Sequence, residues 1–212
     1  MKWSKKILAN PPWFIKKLFS QAIWELTPND KKNKQVYLTF DDGPHPKITP
    51  WVLDLLDQYH AKATFFCVGE NIDKYPDTFL EIQKRGHKVG NHTYNHIVGW
   101  KNNIKDYVEN FEKCQKLTQT NLFRPPHGRI TPAQIQSIKN KGLNIILWSA
   151  LTFDFDKTIS YQDCLELGIS STKPGAIIVF HDSEKAWPNL KQCLPKYLQF
   201  LDDNEYKSVF IK

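Results

Sequence analysis

From residue 35 onward, short β-branched and aromatic runs alternate with stretches of helical periodicity, and this alternation constrains the fold more than any other feature. The runs at 35–40, 63–68, 88–91, 121–124, 144–149, 176–180 and 207–211 read as seven strands. Six helices are predicted between them, over 49–59, 76–85, 105–117, 132–141, 161–169 and 190–201. Trp51, Val52, Leu55, Leu56 and Tyr59 recur at helical spacing in the first, and Gly86 marks the end of the second. Parallel strands need a crossover of about a dozen residues, usually a helix, so the pattern predicts an α/β protein with a parallel sheet. No G-x-G-x-x-G follows the first strand, which removes the main reason to expect a dinucleotide-binding sheet. A (β/α) barrel is the better expectation, because the polar residues gather at strand ends.

The chain has 212 residues, enough for one domain, and 41% hydrophobic with 24% charged residues is a globular balance. Residues 1–34 read as a basic lead-in that packs on the domain, and 35–212 as the domain itself. No stretch reaches the ~18 apolar residues of a membrane span. The opening residues lack the apolar core of a secretory signal, which makes the cytoplasm the expected location. The formal charge of +7 would suit a polyanion, yet the lysine pairs at 5–6, 16–17 and 31–32 accompany no nucleic-acid motif. They read as solvated surface, with no nucleic-acid partner. Cys67, Cys114, Cys164 and Cys193 form no C-x-x-C pair and read as free thiols of a reducing compartment.

Chemistry collects where strands end. The first runs into Thr39-Phe40-Asp41-Asp42-Gly43-Pro44, the third into His92-Thr93-Tyr94-Asn95-His96, the fourth into Arg124-Pro125-Pro126-His127-Gly128, and the sixth into His181-Asp182. Asp154 and Asp156 follow the fifth. A lone Asp-Asp-Gly-Pro suits a turn, and His45, His60 and His87 read as polar surface. His92 and His96 differ, because two histidines four residues apart can converge on one ion if the segment between them turns. With one carboxylate they leave coordination positions open, as in a catalytic zinc site. A neighbouring aspartate can then serve as base and His181 as acid, with Arg124 holding the base ionised and Asp154 keeping His181 protonated.

These residues give the chain a resemblance to the polysaccharide deacetylases, the NodB-homology domains of carbohydrate esterase family 4, from about residue 36 to the carboxyl end. Five motifs carry it in order: 39–44, 92–96, 124–128, the segment 148–155, and Val179-Phe180-His181-Asp182. The resemblance implies a distorted, TIM-like barrel with fewer than eight complete repeats. It makes Asp41 the base, Asp42, His92 and His96 the ligands of one divalent ion, zinc first among them, and Arg124 the support of the base. His181 becomes the acid. The backbone N–H of His127 is implied to stabilise an oxyanion, and Phe155 and Val179 to line an acetyl pocket, with Trp148 among the substrate contacts. Two positions depart from the family pattern: His127 stands where Tyr is common, and Leu151-Thr152-Phe153-Asp154-Phe155 keeps only the second of two acids.

The implied activity is removal of acetyl groups from the nitrogen of N-acetylglucosamine units in an oligo- or polysaccharide. Three alternatives have distinct signatures. An O-acetyl esterase or non-sugar amide hydrolase would share the fold and metal, and a carbohydrate-binding protein would lack turnover. A non-haem iron oxygenase would need neither Asp41 nor His181.

Overall fold

In the computed structural model, residues 9–27 and 34–212 are described. The strands are β1 (Gln35–Asp41), β2 (Ala63–Cys67), β3 (Lys88–Asn91), β4 (Leu122–Phe123), β5 (Asn144–Ile145), β6 (Ala150–Leu151), β7 (Ile177–His181) and β8 (Lys207–Ser208). The helices are α1 (Trp13–Leu18), α2 (Ile48–Gln58), α3 (Gly69–Lys74), α4 (Pro76–Lys84), α5 (Ile104–Thr118), α6 (Pro132–Lys139), α7 (Tyr161–Ser170) and α8 (Trp187–Asp203). Strand order is β5-β4-β3-β2-β1-β7-β6, and β8 pairs with β1 off this path. Every strand pair is parallel, which makes the molecule the expected distorted (β/α) barrel.

The central strands β1, β2 and β7 are buried along nearly their whole length because both faces are covered. Outward, Phe40 stacks between Phe65 at 5.0 Å and Phe180 at 6.0 Å, and Phe180 meets Tyr197 of α8 at 5.5 Å. Leu190, Cys193, Leu194, Tyr197, Leu198 and Leu201 form the buried stripe of α8 at helical spacing. Inward, Thr39 and Asp41 share one face of β1. Capping fixes three helix starts: Asn103 for α5, and capping boxes from Thr131 and Ser160 for α6 and α7. All four cysteines are buried and free.

The expected fifth strand, 144–149, needs correction. It pairs with β4 at Asn144 and Ile145, with Ile146 N–H still bonded to Phe123 O, then crosses the open side of the barrel and re-enters the sheet beside β7 as β6. Residues 23–26 of the lead-in fill that seam, and residues 1–8 and 28–33 lie outside those described. Ile23 N–H donates to Ile145 O at 2.8 Å, Leu147 N–H returns to Ile23 O at 2.8 Å, and Leu26 N–H reaches Gly175 O at 2.9 Å. Ser149 Oγ donates to Trp24 O at 2.9 Å. The seventh expected strand shortens to β8, which pairs with the amino end of β1. Two histidines assigned to the surface are engaged instead. His87 is buried, with Nδ1 accepting from Ala63 N–H at 3.2 Å, and burial lowers its pKa to about 4. His45 Nδ1 accepts from the N–H groups of Lys47 and Ile48 at the start of α2. His60 is exposed, as expected.

The interior is tight where β2 and β3 meet. A Cβ on Gly90 would lie 2.4 Å from Cδ1 of Phe66, the residue it faces across the pair. Gly90→Ala should therefore destabilise the fold by about 1–3 kcal/mol through overpacking. Thermal or urea unfolding of the variant checks this, and wild-type stability would show that Phe66 can move aside freely.

Candidate active site

The site lies at the carboxyl ends of β1, β3 and β7 and in the turns that follow. Register between neighbouring strands sets the first distances, because Asp41 of β1 pairs with His181 of β7. Asp41 completes the strand, whereas Asp42 leaves it with φ 77° and so points its carboxylate elsewhere. Asn71 Nδ2 holds that turn by donating to Asp42 O at 2.7 Å. Thr93, His96, His127 and Phe153 also have positive φ, between 57° and 65°. Left-handed backbone at non-glycine residues costs roughly 1–3 kcal/mol each, and such residues cluster at functional sites.

The turn after β3 brings His92 and His96 together, as their spacing requires. Thr93 N–H donates to Asn91 Oδ1 at 2.9 Å, Tyr94 N–H to Asn110 Oδ1 at 2.8 Å, and Ile97 N–H to Thr93 Oγ1 at 3.2 Å. The imidazoles stand 5.0 Å apart by centroid. Asp42 Oδ1 lies 3.1 Å from His96 Nε2 and 3.7 Å from His92 Nε2, and one donor atom from each of the three residues falls within 4.8 Å of the others. His92 Nδ1 bonds Arg124 O at 2.8 Å, so the ring offers Nε2 to the centre. Burial, chiefly, lowers the His92 pKa to about 4 and keeps it a neutral donor. Burial alone would raise the Asp42 pKa, but the His96 hydrogen bond and the surrounding histidines hold it below the ordinary carboxylate value.

Two ion pairs flank this triad. Arg124, fully buried, donates from Nη1 to Asp41 Oδ1 and to Thr39 Oγ1, both at 2.7 Å. Its Nε and Nη2 bond Ile146 O and Leu147 O at 3.2 Å, and its plane lies 4.1 Å from the Phe66 ring centroid. On the other side, Asp154 grips His181 twice, with Oδ1 2.7 Å from the ring Nδ1 and Oδ2 accepting the backbone N–H at 2.8 Å. Burial opposes the imidazolium, yet Asp154, with help from Asp42 and Asp41, raises the His181 pKa to about 9.

The other expected contacts fall around these pairs. Phe155 packs edge-on against His181 at 4.7 Å. Val179 lies two residues before His181 on β7, fully buried. The His127 ring sits 4.8 Å from that of His96 at the exposed rim. Trp148 is buried under the following turn, where a Cβ on Gly128 would lie 2.7 Å from its ring.

Sequence reasoning missed the part played by Asp182. Its carboxylate accepts from Gly43 N–H at 3.1 Å and from Thr49 Oγ1, tying the turn after the paired aspartates to the first turn of α2. Burial raises its pKa to about 7. A Cβ on Gly43 would lie 2.2 Å from Asp182 Oδ2, so only glycine fits there. The adjacent glycine and buried acid were visible in the sequence, but their partnership is not local: 139 residues separate them.

Known proteins are similar to this chain in sequence and fold. Residues 28–146 match the family model described as polysaccharide deacetylase. A peptidoglycan-N-acetylglucosamine deacetylase of Bacillus cereus is 35% identical over 196 residues, covering 89% of this chain and 90% of the relative. A chitooligosaccharide deacetylase of Azorhizobium caulinodans is 32% identical over 165 residues, 72% of this chain and 75% of its own. A crystal structure of a peptidoglycan N-acetylglucosamine deacetylase with 4-naphthalen-1-yl-N-oxidanyl-benzamide superposes with a TM-score of 0.81 at 29% identity, covering 94% of this chain and 95% of that one. The chain belongs to the polysaccharide deacetylase family.

Proposed function

We propose that this chain is a metal-dependent hydrolase that removes the acetyl group from the nitrogen of N-acetylglucosamine units in an oligo- or polysaccharide. The observation that carries the reading is the placement of two buried ion pairs, Asp41 with Arg124 and His181 with Asp154, beside one three-donor set. The substrate class is supported by the two relatives named for peptidoglycan N-acetylglucosamine and for chitooligosaccharide.

The donor set fits a divalent ion such as zinc. Donors bonded to one zinc at about 2.0–2.2 Å can stand no more than about 4.4 Å apart. The 3.1 and 3.7 Å separations from Asp42 to the two imidazoles meet that limit. Two nitrogens and one oxygen leave coordination positions open for water and a carbonyl. Asp42, His92 and His96 would hold such an ion, which would supply a lowered pKa for bound water and polarisation of the carbonyl.

The remaining chemistry belongs to the side chains. Asp41, with Oδ1 engaged by Arg124, accepts the proton of the attacking water on its other oxygen. His181, with Nδ1 on Asp154, delivers a proton from Nε2 to the departing amine. Its raised pKa keeps that proton available at neutral pH. The His127 backbone N–H, in its left-handed turn, serves the developing oxyanion. Phe155, packed on His181, and the buried Val179 shape the apolar side that takes the acetyl methyl.

Two measurements test this reading. The first separates the neighbouring aspartates. Asp42→Asn should lose metal affinity and recover activity at high metal concentration, while Asp41→Asn should keep its metal and fall about 10²–10⁴-fold in turnover, without rescue. Metal content and acetate release, read side by side on N-acetyl and O-acetyl oligosaccharides, check the roles and the bond cleaved. The opposite pattern would exchange the two assignments. The second concerns pH. His181 must be protonated to act, so kcat/KM should fall as pH rises through its raised pKa. Asp154→Asn removes the charge that raises it and should move the alkaline limb to lower pH. An unmoved limb would remove His181 from the acid role.

A further inference from the structure

Basic residues and exposed apolar side chains meet in one stretch of the sequence, residues 1–34, whose described helix α1 lies away from the site. Eight of the 29 lysines and arginines fall within residues 1–34, with only two of the 22 acids. This segment therefore carries +6 of the formal +7, and the remaining 178 residues carry +1. Within it, α1 presents Trp13 at 74%, Phe14 at 56% and Leu18 at 78% exposure, half of the exposed large hydrophobic residues among those described. None of its six residues is buried.

The helix is nonetheless anchored. Ala9 before it and Ala22 after it are buried in the core, and Ile23 joins the barrel seam. Trp13 and Phe14 pack edge to face with centroids 6.3 Å apart, forming one projecting aromatic block. Lys16 and Lys17 occupy the last turn of the same helix. Lys16 lies 3.9 Å from Glu25, which pairs with Ala176 just before β7. This puts the basic turn of α1 toward the amino ends of the strands, opposite the site.

We infer that α1 docks this protein on an anionic lipid bilayer. Lysines alone would suit any polyanion, but a soluble polyanion leaves Trp13, Phe14 and Leu18 in water. A bilayer interface takes both: aromatic rings at the headgroup level, leucine among the upper acyl carbons, and lysine stems alongside with their ammonium groups at lipid phosphates. A helix of six residues has too little apolar area to bind on that basis alone, so the +6 segment supplies the second contribution. Docking through α1 leaves the carboxyl ends of the strands facing away from the membrane, open to a polymer.

The test is co-sedimentation of the full chain with phosphatidylcholine vesicles, with and without phosphatidylglycerol, at low and high salt. Binding to the mixed vesicles is expected, about tenfold or more weaker on pure phosphatidylcholine and weakened by salt. The triple variant Trp13→Ser, Phe14→Ser, Leu18→Ser should bind mixed vesicles about tenfold or more weaker. It should retain the wild-type circular dichroism and acetate release from a soluble oligosaccharide. Trp13→Phe keeps an apolar ring and should bind like wild type, with less fluorescence quenching by brominated lipid. Absence of wild-type binding to mixed vesicles would overturn the proposal. So would full binding by a folded triple variant, or binding to a DNA oligonucleotide as tight as to vesicles and indifferent to the triple substitution.

Discussion

The buried guanidinium of Arg124 is the interaction on which the site's shape depends. A charge taken out of water costs several kcal/mol unless paired and fully hydrogen-bonded, so each of its partners is held where Arg124 needs it. Those partners come from distant stretches: Thr39 and Asp41 on β1, Ile146 and Leu147 in the crossing segment, and Phe66 on β2 beneath the plane. The carbonyl of Arg124 itself fixes the tautomer of His92. One residue thus joins Asp41, the seam of the barrel and His92. Lysine could not replace it, because a single ammonium cannot fork to four acceptors in one plane.

The same strand end explains how adjacent aspartates acquire different surroundings. Asp41 keeps the extended geometry of β1 and meets Arg124, while Asp42 turns at φ 77° and meets two imidazoles. Alternation along a strand would already separate the two side chains. The left-handed turn goes further and moves Asp42 toward the β3 turn. Such backbone persists only when its surroundings over-determine it, and here Asn71 holds the Asp42 carbonyl while Asp182 holds Gly43. Asp182 therefore bears on the position of Asp42 by holding the turn that follows it.

Much of this was legible in the sequence, because hydrophobic period and strand-end polarity are local signals. β3 was read to the residue, and the members of both ion pairs and the donor triad lie together where the motifs suggested. The pattern failed where structure depends on distant partners. Residues 144–149 are apolar enough for one strand, yet the segment leaves β4 after Ile146 and pairs with Ile23 on its other side, and nothing near residue 144 announces a partner some 120 residues earlier. His87 follows Gly86 in what reads as a polar turn, but the positive φ of Gly86 swings the chain so that the imidazole meets the Phe65 ring at 5.5 Å. The helix α3 is only six residues long and too short for a periodic signal.

The donor triad and the fold rest on separate supports, and this bears on how a bound ion relates to stability. In a zinc finger the ion is the core, and its binding energy is folding energy. Here the turns that carry the donors hang on hydrogen bonds of their own: Asn71 on Asp42, Asn91 and Asn110 on the His92–His96 turn, and Arg124 on His92. The core has its own support in the Phe65–Phe40–Phe180 stack and the buried stripe of α8. Under the proposed reading an ion would add little to the fold, because burial in the barrel and these hydrogen bonds already fix where the three side chains stand.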